Sequence, residues 1–268
     1  MANPQLPAPS EPAEDPSEGH MTFWEHLQEL RTRLIRMMMA FMVGAGVAWY
    51  YKGELLVLLT RPFVQGWSDE KTRPSLHFGD PAGLFVSYVK IAVLGGFVLA
   101  LPIILYQIWA FIAPGLYSRE KRFALPFVVM SCLLFCTGAY FGWSLVFPVA
   151  FDYLLKYAEM PLDSALDMQP TVMIESYLSF IMQALVAFGA VFEIPVIVFF
   201  LSMVGLINHT HLIKFFRYFI VIAFIVAAVI TPPDPLSQIL LAAPLIGLYI
   251  FSIGIAWLVA RTRSTTTS

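Results

Sequence analysis

What most constrains this chain is the length of its uncharged runs. Between Tyr177 and Leu206 the one charged residue is Glu193, and no charge falls within 123–151 or 239–259. A hydrocarbon layer is ~30 Å thick and is crossed by a helix of ~20 mostly apolar residues. Inside it the backbone must satisfy its own hydrogen bonds, which a helix does within one segment. In 268 residues, several such runs leave little chain for anything else. Only 13% of the residues are charged and 59% are hydrophobic, against about 25% and 45–50% in soluble domains. Mean hydropathy is +0.74. This balance excludes a soluble enzyme core, a disordered chain and a basic nucleic-acid-binding face. The fold class that follows is an all-α integral membrane protein.

Six spans are expected, at about 34–52, 84–112, 123–151, 177–206, 213–230 and 236–259. Thr22 and Glu25 form an S/T-x-x-E capping box, so the first helix starts amphipathic and turns apolar from Met37. Residues 1–21 have no Lys or Arg and no apolar core, so they read as a disordered cytoplasmic tail rather than a secretory signal. Polar connections are expected at 53–83 and 152–176, the first containing Pro62, and a second tail at 260–268. The fifth span holds only thirteen uninterrupted apolar residues, Tyr218–Ile230. That is about 20 Å at ~1.5 Å per residue, short of an undisturbed bilayer.

Lysine and arginine set the orientation of short loops. Arg31, Arg33, Arg36, Arg119, Lys121, Arg122, Lys214, Arg217, Arg261 and Arg263 fall on one side. Lys52, Arg61, Lys71, Arg73 and Lys156 fall on the other, diluted by acids. The richer side is expected to be cytoplasmic, and with six spans both termini lie there. Lys90 remains within a span, close enough to the acidic side to snorkel.

Catalytic signatures are missing. There is no H-E-x-x-H, no G-x-S-x-G and no Gly-rich phosphate loop. His209 and His211 read as loop residues, and Cys132 and Cys136, four apart in an apolar run, as small core residues. No enzyme activity, metal or cofactor is expected. Polar residues retained at cost within a membrane are stronger leads. Glu193 lies mid-span with Pro195 two positions on, and reads either as a structural hydrogen-bonding group or as a site for a polar ligand. Glu29 and Arg33 are an i,i+4 pair, with His26 on the same face. That pattern suits a solvated helix start as well as a binding site. Glu120 is the lone acid of its basic loop, where a loop salt bridge is equally open.

Four motifs then occur in order. His26–Arg33 (His-Leu-Gln-Glu-Leu-Arg-Thr-Arg) resembles the H-L-x-E-L-R-x-R signature of the TatC family, the polytopic subunit of the twin-arginine protein translocase. The run from Tyr106 to Tyr117 followed by Glu120 resembles its second hallmark, and Phe188–Pro195 and Thr231–Asp234 resemble two more. The similarity covers about residues 22–258. Lys121 departs from it, standing where an arginine is common.

The resemblance implies a six-span concave bundle that receives twin-arginine signal peptides. It implies export of folded proteins with TatA/TatB-type single-span subunits and further TatC copies, driven by the proton-motive force in a prokaryotic inner membrane. By motif, Glu29 and Glu120 inherit signal-peptide recognition, supported by His26, Arg31, Arg33 and Phe111. Pro62 inherits a structural role in the first external loop, and Glu193 and Asp234 inherit partner or signal contacts. A guanidinium cannot lose its charge, and its fork matches carboxylate oxygens two at a time, so acids at the membrane edge suit such a ligand. Flanking bases must then be paired or turned away. From another class, a proton-coupled transporter using Glu193 would be expected to show duplicated halves, and none is evident.

Overall fold

The computed structural model describes residues 23–67, 74–112, 124–158, 171–231 and 235–266. Its helices are α1 (Phe23–Tyr50), α2 (Lys52–Gln65), α3 (Pro81–Ile112), α4 (Ala124–Phe141), α5 (Phe147–Ala158), α6 (Ile174–Phe192), α7 (Ile194–Val204), α8 (His209–Ile230) and α9 (Pro235–Thr266). A π-helical turn, Gly142–Val146, joins α4 to α5 without a break. Among the described residues the one strand-like pairing is a parallel bridge between His77 and Met173. Five spans are long and apolar enough to cross a membrane: 81–111, 125–156, 174–204, 209–230 and 235–261. A sixth is reached when α1 and α2, bent by 82° where they meet, are taken together as one broken span.

Each expected span overlaps a helix, with different edges. The third runs on to Ala158 because Asp152 and Lys156, read from sequence as loop residues, pair at i,i+4 on the helix (2.8 Å). The last helix continues to Thr266, so most of 260–268 is helix rather than tail. The apolar run Tyr218–Ile230 belongs to a 22-residue helix, about 33 Å long at ~1.5 Å per residue. Its first turns, with His209, His211, Lys214 and Arg217, supply the missing length. The first polar connection contains α2, a buried-faced helix that was not expected there. Cys136 is exposed rather than in the core. The tail 1–21 lies outside the described residues.

Local chemistry explains the ends. Asp80 Oδ1 accepts the Gly83 N–H (2.5 Å) ahead of Pro81, the residue that opens α3. An acceptor side chain before a first-turn proline is a standard helix start. Gly205 (φ 87°) closes α7, with Leu206 N–H donating to the Leu201 carbonyl (2.9 Å) and Gly205 N–H to Ser202 (3.1 Å).

The larger buried cluster runs from the end of the bundle that carries α2 into α8 and α9, and a smaller one, Trp109, Val128 and Phe200, lies by the end of α3. Phe63 of α2 meets Phe151 and Tyr177, and Phe147 meets Phe180 and Phe188. The Tyr177 hydroxyl donates to the Leu59 carbonyl at 2.6 Å. The bridge between His77 and Met173 closes over this end, with His77 N–H donating to Val172 and Ile174 N–H to His77. At the opposite end α1 packs chiefly on α3 and leaves Leu34, Ile35, Met38 and Met42 exposed, as suits a lipid-facing helix.

Candidate functional site

Two helix ends make the candidate site, the start of α1 and the end of α3. Their i,i+4 and i,i+3 spacings bring His26, Glu29 and Arg33 to one face of α1. On α3, Gln107 and Phe111 share a face by the same spacing. The His26 and Phe111 rings stack with centroids 4.6 Å apart. Arg33 donates through Nε (3.0 Å) and Nη2 to Glu29 Oε1, and through Nη1 to Gln107 Oε1 (3.3 Å). The Glu29 and Arg33 side chains are only 20% and 17% exposed. Glu29 Oε2 is buried and makes no hydrogen bond. A shallow cleft of about 440 Å³ opens here, lined by Gln28, Glu29, Thr32, Arg33 and Arg36.

Four sequence-derived residues therefore come together: His26, Glu29, Arg33 and Phe111. Arg31 lies on α1 but is exposed, outside this contact network. Glu120 and Asp234 fall outside the described residues. Gln107 was not singled out from sequence, although a lone amide near the end of an apolar run was a usable signal. It is 7% exposed and ties Arg33 to α3.

Glu193 and Pro62 belong elsewhere. Glu193 forms the turn between α6 and α7, with its N–H donating to Ala190 (3.2 Å) and its carbonyl accepting from Ile197 (3.0 Å). Pro195, without an N–H, cannot continue the α6 ladder, which explains the break. The Glu193 side chain is 9% exposed and faces protein, not lipid. Its Oε1 and the Ser131 Oγ of α4 are both buried without a hydrogen bond, although near enough to interact electrostatically. Pro195 lines an apolar cavity of about 410 Å³ between α4, α7 and α9. Pro62 is buried within α2, at the far end of the bundle from Glu29. No cluster of His, Cys, Asp or Glu suited to a metal occurs among the described residues.

The family model for Sec-independent protein translocase protein (TatC) matches residues 25–244. The chain belongs to the TatC family. It is 37% identical over 240 residues to the TatC of Koribacter versatilis, covering 89% of this chain and 86% of that one. With the TatC of Aquifex aeolicus the identity is 38% over 243 residues, covering 91% and 98%. A crystal structure described as the twin arginine translocase receptor TatC superposes with a TM-score of 0.77 at 38% identity, covering 88% of this chain and all of that one. The Glu29 cluster, Glu193 and Pro62 all lie inside the matched region.

Proposed function

We propose that this TatC chain is the receptor and core subunit of a twin-arginine translocase, with the α1–α3 end as its signal-peptide site. Glu29 and Glu120 act as acceptors for the signal arginines. His26 and Phe111 hold α1 against α3, and Arg31 and Arg33 complete the charged surface. The chain works by binding and transport rather than catalysis. It sits in the inner membrane of a prokaryote with both termini cytoplasmic, so the cleft faces arriving precursors. TatA/TatB-type single-span subunits and further copies of the chain are its partners, and the proton-motive force drives export. Pro62 shapes the external helix α2, while Glu193 and Asp234 serve partner or signal contacts.

One observation carries this reading. Glu29 already holds a guanidinium near the start of α1, so its carboxylate is placed to accept an arginine. Charge-assisted pairs of this kind are the stronger class of hydrogen bond, and lysine lacks the fork to match them. The test is site-specific cross-linking of a precursor signal peptide to membranes carrying the Glu29→Gln, Glu120→Gln double variant. Loss of the charges should weaken binding by about 1.5–3 kcal/mol. Cross-linking at the wild-type level would remove the proposal.

A further inference from the structure

We propose that Arg33 is an internal competitor for the signal peptide, occupying Glu29 with this chain's own guanidinium until a signal arginine displaces it. The inference rests on the reading of Glu29 as an acceptor. An ionised carboxylate offers two oxygens and can take a guanidinium fork across both. In this structure Arg33 places both Nε and Nη2 on Oε1. Oε2 has no hydrogen bond and essentially no exposed surface. A second guanidinium therefore finds one oxygen taken and the other covered, and it cannot bind across the carboxylate while Arg33 stays.

Arg33 has a place to go. Its Nη1 is already held by Gln107 Oε1 of α3 (3.3 Å), so the side chain can release Glu29 and keep a partner. Arginine stays charged in any such move, and a half-buried guanidinium needs that second acceptor. Space is available as well, because the adjoining cleft is open along Gln28, Thr32 and Arg36. The result is a threshold. A site open for only a fraction of the time binds every ligand more weakly by that same fraction.

A pure competitor changes the affinity of all ligands by one factor and leaves their ratio alone, whereas a residue that shapes the acceptor changes the ratio. The experiment measures binding of fluorescent twin-arginine and twin-lysine signal peptides to the full-length chain in nanodiscs. Arg33→Gln should bind both peptides about three- to tenfold more tightly, with an unchanged preference for arginine. Arg33→Lys, which retains the charge and a helix-compatible chain but loses the fork, should show a smaller rise. Arg36→Gln removes an equal charge from the cleft wall without touching Glu29, and should raise binding by less than half as much.

Each other result has a meaning. Equal gains in Arg33→Gln and Arg36→Gln would reduce the effect to general repulsion and overturn the proposal. Unchanged or weaker binding in Arg33→Gln, or a shifted arginine-to-lysine ratio, would overturn it too, in favour of a positioning role. Glu29→Gln separates the two layers. If that variant binds as wild type, the acceptor reading itself is wrong and the competitor falls with it. If it binds weakly while Arg33→Gln shows no gain, only the competitor is lost.

Discussion

Trp143 donates its indole N–H to the carbonyl of Leu58 at 3.0 Å, and Leu58 lies four residues before Pro62. That carbonyl is the one Pro62 leaves without an intrahelical donor. The two residues form a matched pair 85 positions apart in sequence, and the match explains how a proline is tolerated inside α2.

Trp143→Phe keeps the ring and removes the donor. Leaving that carbonyl unmet should cost about 1–3 kcal/mol, lowering the midpoint of thermal unfolding in detergent. Adding Pro62→Ala restores an N–H four residues on, and should recover part of the loss. Additive losses in the double variant, read as a mutant cycle, would show that the two residues are not coupled.

Gly189 is packed against the Phe135 ring, where an added Cβ would lie under 3 Å from the ring carbons. Gly189→Ala should therefore force α4 and α6 apart or turn the ring, at about 1–3 kcal/mol. Gly247 on α9 has open space around it, so Gly247→Ala should be neutral or slightly stabilising. Comparing the unfolding midpoints of the two variants checks this. Similar midpoints would mean that the α4–α6 contact yields at no cost.

The Glu193 carboxyl and the Ser131 hydroxyl are both buried and unpaired in the middle of a broken span. If the role is hydrogen bonding, Glu193→Gln should export a precursor within about twofold of wild type, while Glu193→Leu should lose an order of magnitude or more. Export assays, with co-purification of the partner subunits as a control for assembly, read this directly. Failure of both variants with intact precursor binding would assign the residue to proton transfer. Normal export by Glu193→Leu would leave it a structural polar group.

The crossings were legible because an apolar run of twenty or more residues has few other uses. The helix α2 was not. Its sequence mixes Glu54, Arg61 and Pro62 with leucines, and its order comes from Trp143 and Tyr177, contacts that no local pattern announces. The end of the third span was missed because Asp152 and Lys156 look like loop charges until their spacing is read as an ion pair. At the site, the face shared by His26, Glu29 and Arg33 followed from helical spacing. Gln107 did not, because its importance lies in reaching another helix.

The hydroxyl of Tyr177 meets the Leu59 carbonyl across 118 positions of chain, and this sets an order of events at the ribosome. At ~5–20 residues per second, α2 exists for roughly 6–24 s before the residue that clamps it is made. Trp143 emerges sooner and caps the proline gap first. Until then α2 is a short helix with an unmet carbonyl at the surface of a half-built bundle. Nascent chains stalled after α2 but before Trp143 would be those most in need of an insertase or a protective lipid contact.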